Sequence, residues 1–86
     1  MAQEREVTIE NPNGLHARPA SMFVQTANKS SSKVTIVKDG EDVDGRSIMG
    51  LLSLGLEFKS KVILKVDGPD EERVIEALTE ILTGHH

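Results

Sequence analysis

The run Glu6-Val7-Thr8-Ile9-Glu10-Asn11-Pro12-Asn13-Gly14-Leu15-His16-Ala17-Arg18-Pro19-Ala20 passes from a two-residue repeat to a helical one, and the switch sets the type of fold. Val7 and Ile9 alternate with Glu6, Thr8 and Glu10, the pattern of a strand with one face on a core and the other in water. Asn11 to Gly14 are all turn formers. After Pro19 the apolar residues Ala20, Phe23, Val24 and Ala27 recur at helical spacing. Proline is tolerated in a first helical turn, where its missing N–H is not needed. The stretch therefore reads strand, loop, helix, with His16 at or beside the N-cap.

Working outward, Asn28 and Ser30-Ser31-Ser32 break the helix, and Val34 and Ile36 then alternate with Lys33, Thr35 and Lys38 as a second strand. Asp39-Gly40 predicts a hairpin turn, because both residues tolerate positive φ, and it leads to a short strand around Val43 flanked by Glu41, Asp42 and Asp44. Charges on an edge strand discourage pairing with other chains. Ser47 precedes Ile48-Met49-Gly50-Leu51-Leu52-Ser53-Leu54-Gly55, an N-capped helix of about two turns with a glycine stop. Val62, Leu64 and Val66 lie on one face of a further strand. Asp67-Gly68-Pro69-Asp70 then opens a last helix carrying Val74, Ile75, Leu78, Ile81 and Leu82 on one side, ended by Gly84. The order β-α-β-β-α-β-α predicts an α+β domain, with helices on one face of a mostly antiparallel sheet.

The chemistry is concentrated at the first helix entrance. With proline at position 19, the amides of Ala17 and Arg18 remain free to bind an anion. The positive end of a helix dipole favours negative charge placed on the His16 ring, which suits a phosphorylated imidazole. Arg18 offers a planar fork of donors able to hold phosphoryl oxygens bidentately.

Composition narrows the alternatives. Eighty-six residues make one small domain, too short for a separate lid, so residues 1–86 are read as a single unit with one surface site. The absence of cysteine excludes disulfides, a thiolate nucleophile and thiolate-bound metal, and it fits a reducing cytoplasm. Neither a signal peptide nor a membrane-spanning run is visible. The formal charge of −4 speaks against nucleic acid. That charge is concentrated in Asp70, Glu71, Glu72, Glu76 and Glu80, opposed by Arg73, and is read as a solvated helix face. His85 and His86 are read as the remnant of a purification tag rather than a metal site.

The segments Gly14-Leu15-His16-Ala17-Arg18-Pro19-Ala20 and Ser47-Ile48-Met49-Gly50-Leu51-Leu52-Ser53-Leu54-Gly55, in this order, closely resemble the histidine-containing phosphocarrier family HPr of the bacterial phosphoenolpyruvate:sugar phosphotransferase system. The resemblance spans residues 2–83. It implies an open-faced sandwich, a four-stranded antiparallel sheet under three helices. It also implies a cytoplasmic, monomeric carrier rather than a turnover catalyst, with no metal or cofactor of its own. His16 would accept a phosphoryl group on Nδ1 from enzyme I and pass it to a sugar-specific enzyme IIA, with Arg18 stabilising the group. Ser47 would be the regulatory phosphorylation site of an HPr serine kinase/phosphorylase, its product serving a catabolite-control transcription regulator. Arg46 stands where the family commonly has lysine, which keeps the charge but bears on kinase recognition.

Ser47 has a purely structural reading too, as an N-cap hydroxyl. Ile48, Met49 and Leu52 lie on one side of the short helix and Leu51 and Leu54 on the other. The resemblance assigns Leu51 and Leu54 to the core and Ile48, Met49 and Leu52 to a partner-docking patch beside His16, where methionine suits a surface that accepts several partners. Two other functions compete. A hydrolase with a histidine nucleophile lacks a second acid or base near the loop and the length to enclose a substrate. A purely regulatory protein acting only through phosphoserine would not need His16.

Overall fold

The computed structural model describes residues 2–84; Met1, His85 and His86, and with them the reading of a tag remnant, lie outside the described residues. The elements follow the expected order: β1 (Gln3–Thr8), α1 (Ala17–Lys29), β2 (Lys33–Lys38), β3 (Glu41–Asp44), α2 (Ile48–Ser53), β4 (Lys61–Asp67) and α3 (Glu71–Thr83). The four strands form one antiparallel sheet in the order β1-β4-β2-β3. Alternation decides which side of it is buried. Val7, Val34, Ile36, Val62, Leu64 and Val66 are inaccessible and face the helices, whereas Lys61 and Ile63 stand on the open face. The fold is thus the expected open-faced sandwich.

Each helix closes the core with one stripe. α1 contributes Ala20, Phe23 and Ala27, α3 contributes Val74, Ile75, Leu78, Ile81 and Leu82, and α2 contributes Leu51. Burying a side chain of the size of Leu, Ile or Phe is worth about 1.5–3 kcal/mol, so these stripes dominate the favourable side of folding. The Asp39-Gly40 hairpin has the positive φ angles, 52° and 81°, that its sequence requires.

Two sequence readings need correction. β1 runs from Gln3 to Thr8, earlier than the Val7–Ile9 alternation suggested, because its first half is polar and carries little periodic signal. Ile9 follows the strand and still exchanges backbone hydrogen bonds with the Lys59–Ser60 turn, at 2.7 and 2.8 Å. The acidic start of α3 is not simply a solvated face. Glu71 is buried and accepts from the Gly68 N–H at 3.1 Å. Asp70 accepts from the Ser31 N–H at 2.9 Å, from the Ser32 hydroxyl and from Arg73 at 3.0 Å. The hydrogen bonds from Ser32 and Ser31, aided by Arg73, hold the Asp70 carboxyl below the usual carboxylate range.

Candidate functional site

The loop before α1 is fixed at several points along its backbone. The Glu10 N–H donates to Leu82 O at 3.2 Å, and the Asn11 side-chain amide donates to Ile81 O at 3.2 Å, joining the loop to the end of α3. The Gly14 N–H closes a turn on Asn11 O at 2.8 Å, and the Leu15 N–H donates to Leu56 O at 2.8 Å while its side chain is buried. Gly14 has φ +69°, and a Cβ there would lie 2.5 Å from Leu56 O, so only glycine fits between the loop and the segment leaving α2.

This loop delivers His16 to the N-cap of α1 in an extended conformation, φ −87° and ψ −170°. Its carbonyl accepts the Ala20 N–H at 3.1 Å, and its side chain makes no capping bond. Pro19 occupies the third helical position, buried and without an N–H. The backbone donors of Ala17 and Arg18 have no partner among the described residues, and no acidic residue stands in the first turn to neutralise the dipole. His16, Ala17 and Arg18 are exposed. An exposed imidazole, two open amides and an exposed guanidinium thus share one helix entrance, an arrangement suited to holding a phosphoryl group.

α2 begins at Ser47, whose hydroxyl accepts the Gly50 N–H at 3.0 Å while its carbonyl accepts the Leu51 N–H at 3.0 Å. The turn before it is pressed into the fold: a Cβ on Gly45 would meet Val34 at 2.4 Å. Leu51 and Leu54 are buried, at 1% and 8% exposure, whereas Ile48, Met49 and Leu52 are 36%, 76% and 37% exposed.

α2 lies against α1 with its two ends serving different neighbours. At its start, the Arg46 guanidinium donates to Ala27 O, Ser30 O and Ser32 O at 3.1–3.3 Å, covering the C-terminus of α1. At its exit, Leu56 receives the Leu15 N–H. The residue before Ser47 thus reaches the C-terminal end of α1, whereas His16 stands at that helix's N-cap. Sequence reasoning saw only a conserved charge in the change from lysine to Arg46 and did not foresee its attachment to α1. Asn11 and Lys38, whose ammonium donates to Leu54 O, were likewise missed, since single polar residues meeting distant carbonyls leave no periodic trace.

A family profile described as "PTS HPr component phosphorylation site" matches residues 3–83, and the chain belongs to this family of phosphocarrier proteins. It is 45% identical over 75 residues to the HPr-like protein Crh of Halalkalibacterium halodurans, covering 87% of this chain and 89% of that one. The crystal structure of the phosphocarrier protein HPr from Bacillus anthracis superposes with a TM-score of 0.89 at 38% identity, covering 94% of this chain and 96% of the other. The crystal structure of Crh, described as a catabolite repression protein of Bacillus subtilis, gives a TM-score of 0.76 at 40% identity, with 92% and 91% covered. That protein is a dimer with a swapped domain.

Proposed function

We propose that the protein is a phosphoryl carrier of the sugar phosphotransferase system. His16 Nδ1 takes the phosphoryl group from a phosphohistidine of enzyme I and yields it to a histidine of a sugar-specific enzyme IIA. In each step one N–P bond breaks as another forms, so positioning and charge stabilisation matter more than covalent assistance. Arg18 and the amides of Ala17 and Arg18 hold the phosphoryl oxygens. Ile48, Met49 and Leu52 form the docking patch for both partners. The observation that carries this reading is the exposed imidazole at the N-cap of α1, beside two unpaired amides and an arginine. A partly exposed helix end contributes roughly 0.3–1 kcal/mol to a nearby anion, weak enough to let the group move on. The protein is a relay intermediate in the cytoplasm, needing no metal or cofactor of its own.

Incubation with phosphoenolpyruvate and enzyme I, followed by localisation of the phosphate, tests this. The label should be acid-labile, alkali-stable and absent from His16→Ala. An acid-stable label, or one that persists in that variant, removes His16 from the role.

A regulatory function at Ser47 is a second reading, supported by the description of the Crh relative as a catabolite repression protein. Here an ATP-dependent HPr serine kinase/phosphorylase modifies Ser47, and the product binds a catabolite-control transcription regulator. Both roles fit one chain. Uptake of phosphate from ATP and kinase without uptake from enzyme I would reduce the protein to the signalling role alone. The expected monomer is supported by a sheet completed within one chain, while the dimeric Crh structure supports exchange between chains; sedimentation at several concentrations separates the two.

A further inference from the structure

α2 has six residues, too few to persist as a helix without external support. Its last carbonyls, Leu51 O and Leu52 O, are met by the capping N–H groups of Leu54 and Gly55, but no basic residue stands in its last turn to offset the negative end of the dipole. The missing cation comes from β2. Lys38 Nζ donates to Leu54 O at 3.2 Å and to Gly55 O at 3.5 Å, across sixteen and seventeen positions of sequence. The backbone of Lys38 is fixed independently, since it pairs with Glu41 at the mouth of the Asp39-Gly40 hairpin.

The segment held by this ammonium also supports the histidine loop. Leu56 O, one residue beyond Gly55, accepts the Leu15 N–H at 2.8 Å, and the same oxygen packs against Gly14 so closely that no Cβ fits. Leu15 immediately precedes His16. A continuous connection thus runs from Lys38 through the exit of α2 to the backbone that orients the imidazole.

We infer that Lys38 is a positioning residue for phosphoryl transfer at His16: its ammonium fixes the exit of α2, and that exit fixes the loop carrying the nucleophile. The inference rests on the phosphocarrier reading above. Lys38 does not touch the phosphoryl group. It narrows the range of positions His16 samples, which matters because transfer between two nitrogens depends on in-line alignment.

The test compares the unmodified sequence with Lys38→Met, which keeps an apolar stem of similar reach, and Lys38→Arg, which restores a cationic donor. Two readouts are taken: hydrogen exchange at the Leu15 amide, and initial rates of phosphate acceptance over a range of phosphorylated enzyme I concentrations. In Lys38→Met, Leu15 exchange should rise and kcat fall, each by roughly tenfold, with KM little changed because the apolar patch remains. Lys38→Arg should recover both. Unchanged Leu15 exchange in Lys38→Met overturns the inference, as does faster exchange with an unaltered kcat. If the unmodified sequence takes no phosphate from enzyme I, the phosphocarrier reading itself fails. That result differs from failure of the Lys38 inference, in which the unmodified sequence is phosphorylated normally and Lys38→Met matches it.

Discussion

The Ser47 hydroxyl accepts the Gly50 N–H at 3.0 Å, so the oxygen a kinase would modify is also the one that caps α2. A phosphate there brings about −1.5 to −2 charges and further acceptors to a helix start, where they are tolerated. Ser47 caps α2 while His16 stands at the N-cap of α1, so we expect antagonism between the two sites to act through a shared partner. A dianion at the start of the helix bearing the apolar patch would have to be desolvated on docking and would repel any acidic groups on enzyme I. We expect Ser47-phosphorylated protein to accept phosphate on His16 more slowly while keeping its melting temperature, with Ser47→Asp intermediate. Equal initial rates for all three forms would refute the antagonism, and a phosphorylated form that has melted would place the cause in unfolding.

Ser47→Ala removes the cap without adding charge. It should lower stability by about 1 kcal/mol in denaturant unfolding, and a negligible change would mean that the cap contributes little.

Arg18→Ala should leave His16 able to react while slowing phosphoryl transfer roughly a hundredfold to a thousandfold, the range seen when one donor to a developing charge is lost. Rapid-quench rates with phosphorylated enzyme I measure this. Rates equal to those of the unmodified sequence would show that the guanidinium takes no part.

Met49→Glu tests the patch. Met49 is 76% exposed, so unfolding free energy should change by less than about 1 kcal/mol while binding to enzyme I and enzyme IIA weakens. A large stability loss with binding intact would assign Met49 to packing.

Asp70 gives a pH signature. Its carboxyl titrates below the usual range because Ser32 and Ser31 donate to it. Its stabilising effect is therefore complete above the unfolded aspartate pKa of about 4, and is lost as pH falls through the lower folded value. Melting temperatures of the unmodified sequence and Asp70→Asn should differ at neutral pH and converge in strong acid. A difference independent of pH would mean that the ionised carboxylate is not what ties α3 to Ser31 and Ser32.

The elements themselves were legible because they repeat. The alternation of Val62, Leu64 and Val66 and the helical spacing of Val74, Ile75, Leu78 and Leu82 each state a period, and Asp39-Gly40 states a turn. The entrance carrying His16 and Arg18 was legible for a related reason, since Pro19 and the preceding turn formers locate a helix start. What joins distant elements was not. Asn11 meets Ile81, Arg46 meets Ala27 and Asp70 meets Ser31 through single polar contacts between residues far apart in sequence, and the same residue types occur elsewhere as ordinary surface. Asp70 and Glu71 were absorbed into an acidic run for that reason, although Asp70 holds the Ser31 amide after α1 and Glu71 the Gly68 amide before α3.

The strand order has a consequence for how the chain is made. β4 lies between β1 and β2, yet it is the last strand to leave the ribosome. The first strand pairs Gln3 with Val66, so it waits unpaired through most of synthesis. Closing so long a loop costs entropy before any contact repays it. Only the β2–β3 hairpin can form early, and the sheet is completed when Lys61–Asp67 emerges and inserts between two waiting edges. Nascent chains stalled before residue 61 should therefore remain sensitive to protease, with resistance arising sharply once β4 and α3 are free of the exit tunnel.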